Sequence, residues 1–261
     1  MKPTDLHTLI RQGALFYVSH SGGKDSQAMY AGIRRRVPHD QIVVVHADLG
    51  KIEWKGVQDH IRATIAHDLN VVRAEKTFFD MVRHRAATRP DVPSFPDGGR
   101  RQCTSDLKRG PIYKFIRRDM NGRRAQLGIN VLGLRAEESP GRKRLPPWAV
   151  NKTLSTTART VYNWLPIHTL TTAQVFNRIR EAGQEPFRAY AAGNRRLSCV
   201  FCIFGCASDI ANGRRERPEL FREYIELENE TGWTMFPGES LAQRAAEGNT
   251  PRRRQARNDT P

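Results

Sequence analysis

Ala14-Leu15-Phe16-Tyr17-Val18-Ser19-His20-Ser21-Gly22-Gly23-Lys24-Asp25-Ser26-Gln27-Ala28-Met29 carries a strand, a tight bend and a helix start in one stretch, and that order decides the fold. Ala14 to His20 is a short apolar run, as a buried strand requires. The glycine pair then turns the chain sharply. From Asp25 to Arg36, residues Ala28, Met29 and Ile33, with Val37 beyond, recur at helical spacing, and Pro38 stops the helix. A glycine-rich bend at this place exposes successive amide N–H groups, and the helix adds its positive end. Lys24 supplies a mobile point charge for phosphate oxygens, and Ser21 and Ser26 supply hydroxyl donors. The spacing is not that of the Walker loop, whose first glycine stands further from its Gly-Lys pair.

Outward from this bend the chain alternates. Gln41-Ile42-Val43-Val44-Val45-His46 is a continuous β-branched run, the pattern of a strand buried on both faces of a parallel sheet. A helix is expected over 54–69, a strand over 70–73, a helix over 77–86, a basic helix over 104–120 and a strand over 126–134. The last strand falls over 162–167 and a helix over 171–182, capped by Thr171 or Thr172. This rhythm specifies an α/β, doubly wound, mostly parallel sheet of five strands with a C-terminal Cys-rich helical extension. The expected organisation is a nucleotide-binding domain over 1–185, a Cys-rich helical region over 186–237 and a basic, disordered tail over 238–261. Residues 87–101, with three prolines and Gly98-Gly99, are a long loop of the functional or disordered kind.

The 261 residues carry a formal charge of +16. Such a balance favours a polyanionic partner, because Lys and Arg release counterions when they neutralise phosphates. No apolar run is long enough for a membrane span, and the N-terminus lacks the apolar stretch of a signal peptide, so the expected location is cytoplasmic. In that reducing setting Cys103, Cys199, Cys202 and Cys206 point to metal or catalysis and away from disulfides.

The strand–Ser-Gly-Gly-Lys-Asp-Ser–helix element resembles that of the PP-loop ATP pyrophosphatases, whose signature is Ser-Gly-Gly-x-Asp-Ser. Gly133-Leu134-Arg135-Ala136-Glu137-Glu138-Ser139 with Arg142, and Trp164-Leu165-Pro166-Ile167, resemble elements of the phosphoadenylylsulfate (PAPS) reductase-like branch. The resemblance covers about residues 14–210 and implies an adenine nucleotide α-hydrolase-like fold. It implies ATP with Mg²⁺ on residues 21–26, adenylylation of a substrate oxygen and release of pyrophosphate. Asp25 then serves Mg²⁺ or caps the helix. Arg135 offers a planar fork for phosphate, or pairs with Glu137 or Glu138. Asp48, at the carboxyl edge of its strand, suits a ribose or base, or is a surface loop carboxylate. Lys24, Asp25, Arg135 and Cys103 are the expected catalytic residues. Ser21, Gly22, Gly23, Ser26, Asp48, Gly133 and Arg142 join Lys24, Asp25 and Arg135 in nucleotide binding.

True PAPS reductases typically lack the Lys-Asp of this loop and carry a catalytic cysteine near the C-terminus. This chain has both loop residues and no cysteine after Cys206. The loop instead looks like that of sulfate adenylyltransferase small subunits and the DNA phosphorothioation sulfurtransferases.

Cys199-x-x-Cys202-x-x-x-Cys206 brings three thiols close together, with Val200, Phe201, Ile203 and Phe204 around them. Thiolates packed among apolar side chains suit a 4Fe–4S cluster; structural Zn²⁺ and free redox thiols are the alternatives. Cys103 lies in Cys103-Thr104-Ser105-Asp106-Leu107-Lys108, which resembles the Cys-Thr-x-x-Leu-Lys element of iron–sulfur members of the branch. It is either the fourth ligand or a sulfur carrier.

His46, His84 and His168 are further acid–base candidates, and Trp148, after Arg142-Lys143-Arg144, is the tryptophan best placed to meet a base. Three functions are compatible with these features. The first is a PP-loop sulfurtransferase acting on tRNA or DNA, supplied by a sulfur-donor protein such as a cysteine desulfurase. The second is a sulfonucleotide reductase. The third is a nucleic-acid-binding accessory protein with a structural cluster.

Overall fold

The computed structural model describes residues 5–247. A short α1 (Leu6–Arg11) precedes β1 (Leu15–Ser19), which passes through the glycine bend into α2 (Lys24–Ile33). Next come β2 (Ile42–Asp48), α3 (Val57–Thr64), β3 (Leu69–Arg73) and α4 (Phe78–Thr88). After an irregular Pro-rich segment, α5 (Gln102–Thr104) continues through one π turn (Ser105–Arg109) into α6 (Gly110–Gly122) and β4 (Leu127–Val131). Then follow α7 (Pro140–Lys143), β5 (Trp148–Val150), β6 (Thr160–Trp164) and α8 (Thr172–Glu181). The described chain closes with α9 (Ala207–Glu216), α10 (Pro218–Thr231) and α11 (Leu241–Glu247).

The sheet runs β3-β2-β1-β4-β6-β5, parallel throughout except for β5, which pairs antiparallel with β6. It has six strands where the alternating pattern predicts five. The added one is three residues long and follows Pro146-Pro147, so it shows no alternation, and an edge is where prolines next to a strand are tolerated. An antiparallel edge on an otherwise parallel sheet is a common variation.

Both faces of the sheet are covered, which is why β1 and β2 read as unbroken apolar runs. Phe16, Val18, Val44, Ile129 and Val131 pack on Met29 and Ile33 of α2. Leu15, Tyr17, Val43 and Val45 point the other way, onto Ile116 and Met120 of α6. A third cluster joins Ile61 of α3 and Phe79 and Val82 of α4 to Phe201, Leu220, Tyr224 and Leu241. The Cys-rich region therefore shares one core with α3 and α4 across the expected boundary at residue 185.

The tail expected to be disordered from residue 238 is ordered as far as α11. Leu241 and Ala245 are buried there, and the Glu228 carboxylate accepts the N–H groups of Met235 at 2.7 Å and Leu241 at 3.0 Å. The Arg-rich stretch 252–257 lies outside the described residues. The helix expected over 104–120 is interrupted by the π turn, which carries Lys108. Among the described residues no helix is long and apolar enough to cross a membrane.

The chain reverses its direction of winding between β1 and β4. Ligands of doubly wound sheets bind outside the carboxyl ends of the strands at such a point.

Candidate active site

The glycine bend opens at the carboxyl end of β1. Gly22 takes φ 75°, a left-handed conformation that favours glycine. A side chain there would also stand 2.9 Å from Val57 Cγ1. Gly133, in the loop after β4, packs directly on the start of α2: a Cβ at that position would lie 3.3 Å from the Asp25 backbone carbonyl. The two loops at the switch point thus touch through backbone, and glycine permits it.

Each amide of the bend can be accounted for. Ser21 N–H donates to Ser26 Oγ at 3.2 Å, Gly22 N–H to His20 Nδ1 at 3.2 Å, and Lys24 N–H to the Tyr190 hydroxyl at 3.0 Å. The amides of Gly23, Asp25 and Ser26 find no acceptor among the described residues. Gly23 is the N-cap of α2 and brings no side chain to satisfy them. These orphan donors stand at the positive end of a ten-residue helix, an arrangement suited to receive an anion. Lys24 is only 5% exposed, and its ammonium lies 3.2 Å from Asp25 Oδ2 and 3.4 Å from the Arg195 carbonyl.

Asp25 sits in the first turn of α2 and does not cap it. Its second oxygen accepts from Arg135 Nε at 2.6 Å. Arg135, 3% exposed, also donates from Nη1 to Glu137 at 2.5 Å and to the Leu170 carbonyl, and from Nη2 to Thr172 Oγ1. Burial alone would loosen its proton, but Asp25 and Glu137 outweigh that and raise its pKa. Every guanidinium nitrogen is therefore engaged by protein, and Arg135 ties the β4 loop to α2 and α8. Arg142 pairs with Glu138.

Asp48 accepts the Gly50 N–H at 2.7 Å and pairs with Arg73. Burial works against its charge, yet those two partners hold the carboxyl below its ordinary value. It borders an open cavity of about 500 Å³ that also reaches Trp54, Val57, Arg62 and Arg217. Because Val57 also packs on Gly22, this cavity adjoins the bend.

Sequence reasoning missed His20, which lies directly under the bend. It is 2% exposed, and Nε2 has no partner among the described residues. Burial, aided by His46 and His60, pushes its pKa down to about 3, so it stays neutral and keeps Nδ1 as the acceptor for Gly22. Of the histidines singled out from sequence, His46 bonds Glu53 at 3.1 Å and the His20 carbonyl at 2.9 Å. Burial lowers its pKa, but Glu53 overrides this and raises it. His84 is exposed on α4, and His168 donates from Nε2 to the Arg142 carbonyl.

A pH prediction follows from His20. The unfolded chain binds this proton below its ordinary value of 6.5, whereas the folded chain refuses it until about 3. The stability it contributes is thus fully present above pH 6.5 and is lost as pH falls, at about 1.4 kcal/mol per unit. Between pH 7 and pH 5 urea denaturation is expected to show roughly 2 kcal/mol of loss that His20→Asn, which keeps an acceptor, does not show. Equal losses in the two proteins would contradict this assignment. His46 works with the opposite sign, so the comparison is made between variants and not against pH alone.

The four thiols are placed unequally. Cys199 and Cys202 are neighbours, with Cys103 and the Lys108 ammonium beside them. The two thiols share one proton unequally: Cys202 holds it on Cys199, and Cys202 itself is lowered by Cys199, Ser198, the Phe204 N–H and Lys108. Burial raises Cys103. Burial also disfavours the Lys108 ammonium, and the neighbouring cysteine sulfurs with Glu53 more than offset this. Cys206 turns to Ser208, 3.1 Å away, at the N-terminus of α9. Among the described residues no group of three or more His, Cys, Asp or Glu side chains converges on a metal position, so the four-ligand set expected from sequence is not gathered in this arrangement. The donors nevertheless suit a soft metal, with apolar Val200, Phe201 and Tyr224 behind them.

Tyr190 and Leu197 also reach the bend, against Gly22, Gly23 and Lys24. No local pattern announces them, because they arrive by docking of a distant irregular segment.

The family model described as phosphoadenosine phosphosulfate reductase domain matches residues 16–204. No curated protein matches the sequence significantly. Among solved structures, the chain is similar to a phosphoadenylyl-sulfate reductase from Candida auris in a phosphate complex, at 13% identity and TM-score 0.47, covering 70% of this chain and 80% of that one. It is also similar to the FMN adenylyltransferase of Candida glabrata with FAD and inorganic pyrophosphate, at 14% identity and TM-score 0.42, covering 72% of this chain. A 4-thiouridine synthetase–RNA complex with bound ATP aligns at 12% identity and TM-score 0.36, over 84% of this chain. The chain spans 55% and 53% of the length of these last two.

Proposed function

Since the chain belongs to the phosphoadenosine phosphosulfate reductase domain family, we propose that it is a PP-loop enzyme that cleaves ATP between the α and β phosphates to adenylylate an oxygen of a nucleic acid. The observation that carries this reading is the set of unpartnered amides at Gly23, Asp25 and Ser26 beside Lys24. ATP, with Mg²⁺, places its phosphates there. A substrate oxygen attacks the α phosphorus, the bond to the β-phosphate oxygen breaks, and pyrophosphate leaves with its new charge beside Lys24. The terminal sulfur of a persulfide, delivered by a donor protein such as a cysteine desulfurase, then attacks the activated carbon as AMP leaves, and a second thiol breaks the resulting S–S bond, leaving sulfur on the substrate and a disulfide between the two thiols. Asp48 and its cavity supply the side of the site where the adenosine moiety is received.

Cys103, Cys199, Cys202 and Cys206 are the residues proposed to hold an iron–sulfur cluster, with Cys206 rotating away from Ser208 to join the others. Such a cluster, when bound, supplies a soft site for sulfur. What this chain itself contributes is the Lys108 charge that offsets thiolates and the apolar wall that limits water. Anaerobic purification is expected to give iron and sulfide in stoichiometric amounts, and Cys199→Ser to reduce both to background while nucleotide binding persists. Absence of iron, with a Cys199–Cys202 pair that titrates as a dithiol, would replace the cluster by a redox pair.

The deciding assay is pyrophosphate release from ATP with tRNA, DNA and sulfate as acceptors. Sulfite formation from a sulfonucleotide with a thiol donor, together with indifference to ATP, would assign the chain instead to the reductases from which its family takes its name.

A further inference from the structure

Away from the nucleotide loop, a second cavity of about 450 Å³ opens between the end of the sheet and α1. Trp148 of β5 and Trp164 of β6 stack within it, with ring centroids 4.9 Å apart and planes 10° from parallel. The Arg36 guanidinium carbon lies 5.8 Å from the Trp164 ring, and Pro147, Leu165 and His168 extend the wall. Trp164 is buried and belongs to the core, whereas Trp148, next to it at the sheet edge, is only half-buried.

The surroundings are basic. Arg34, Arg35 and Arg36 are all exposed at the end of α2, and Lys143 and Arg144 are exposed just before Pro147. Among the described residues none of these five makes an ion pair with a carboxylate, although Asp5 also borders the cavity. Arg36 lines the cavity, and the other four lie next in the chain to it or a few residues before the lining Pro147; an aromatic shelf with cations of this kind nearby suits unpaired bases by stacking and their phosphates by charge. A duplex offers no free base face to such a shelf.

The cavity is also tied to the reaction site. His168, on its wall, accepts the Ala136 N–H on its carbonyl at 2.8 Å and donates from its ring to the Arg142 carbonyl at 2.9 Å. It thereby grips both ends of the segment that follows Arg135, the residue that holds Asp25 of the phosphate loop.

We infer that the Trp148–Trp164 cavity, with Arg36, Lys143 and Arg144, binds an unpaired stretch of polynucleotide and presents it to the adenylylation site. The inference rests on the reading above and names the structural class of its acceptor: a single-stranded segment rather than an intact duplex.

The test is anisotropy of labelled oligo(U), oligo(dT) and a hairpin duplex, each with strands of about 12 nucleotides, titrated with the full chain in the absence of ATP. Trp148→Ala is expected to weaken single-strand binding roughly 5- to 100-fold, and Trp148→Phe, which keeps a stacking ring, to retain most of it. Replacing Arg36, Lys143 and Arg144 together by alanine is expected to reduce the slope of log affinity against log salt by about 2. The preference between oligo(U) and oligo(dT) tells RNA from DNA. Equal affinity of wild type and a Trp148→Ala protein with unchanged thermal unfolding would overturn the inference, as would tighter binding of the duplex. So would capture of a proline-rich peptide with no affinity for either oligonucleotide. Because no ATP is present, failure here leaves pyrophosphate chemistry standing, and failure of that chemistry leaves this binding result intact.

Discussion

Lys24→Ala is expected to lower pyrophosphate release by roughly 100- to 1000-fold, the loss typical when one preorganised donor to a developing charge is removed. The ammonium is nearly enclosed and stands beside helix amides that have no acceptor among the described residues. Its attraction for a leaving phosphate therefore acts with little screening by water. Pyrophosphate gains charge as the α–β bond breaks, so the lost interaction is stronger in the transition state than in bound ATP. The defect should fall on kcat more than on KM. Lys24→Arg is expected to restore little, because a planar guanidinium does not fit the space that a compact ammonium shares with Asp25, the Arg195 carbonyl and the Tyr190 ring. Steady-state pyrophosphate assays with the acceptor in excess measure this, and a change of less than about 5-fold would remove Lys24 from the chemistry.

The parts of this site that could be read in the sequence are those where one local stretch states both structure and chemistry. Residues 14–33 are such a stretch: an apolar run, two glycines and a helix-spaced set, and the structure places strand, bend and helix there. Gly133 and Arg135 were legible for the same reason, at the end of an apolar strand. Where contact depends on a distant segment, sequence pattern was silent. Tyr190 and Leu197 close over the bend from a segment with no periodicity, and they have no signal in their own neighbourhood. The strand Trp148–Val150 is too short to alternate, and its neighbours Pro146 and Pro147 argue against a strand. The helix Leu241–Glu247 was hidden because its order comes from Glu228, more than ten residues upstream, and not from its polar composition. Arg135 shows a subtler limit. Its type favoured a phosphate contact over an ion pair, and only the packing reveals that it holds Asp25, Glu137 and Thr172 together.

Arg135→Met is therefore expected to destabilise the fold, by about 3 kcal/mol, and not merely to weaken nucleotide binding. Removing the guanidinium leaves Asp25 with Lys24 alone and leaves Glu137 with only the Thr172 contacts. Glu137 is half-exposed and can return to water, so the larger share of the loss falls on Asp25. For a chain of this length such a loss lowers the thermal midpoint by roughly 6–12 °C. A lysine at this position should not rescue it, since one ammonium cannot reach Asp25, Glu137 and Thr172 in a single fork. Adding Asp25→Asn to Arg135→Met is expected to cost less than the sum of the two single losses, because both changes remove the same Arg135–Asp25 contact while Lys24 loses its carboxylate only once, a coupling read from a double-mutant cycle. If Arg135 instead served mainly as an open phosphate contact, Arg135→Met would keep its thermal midpoint, lose ATP affinity, and show no coupling to Asp25. Calorimetry of the four proteins with and without ATP separates the two cases, because a structural tie is missed in the free protein while a phosphate contact is missed only when the nucleotide is bound.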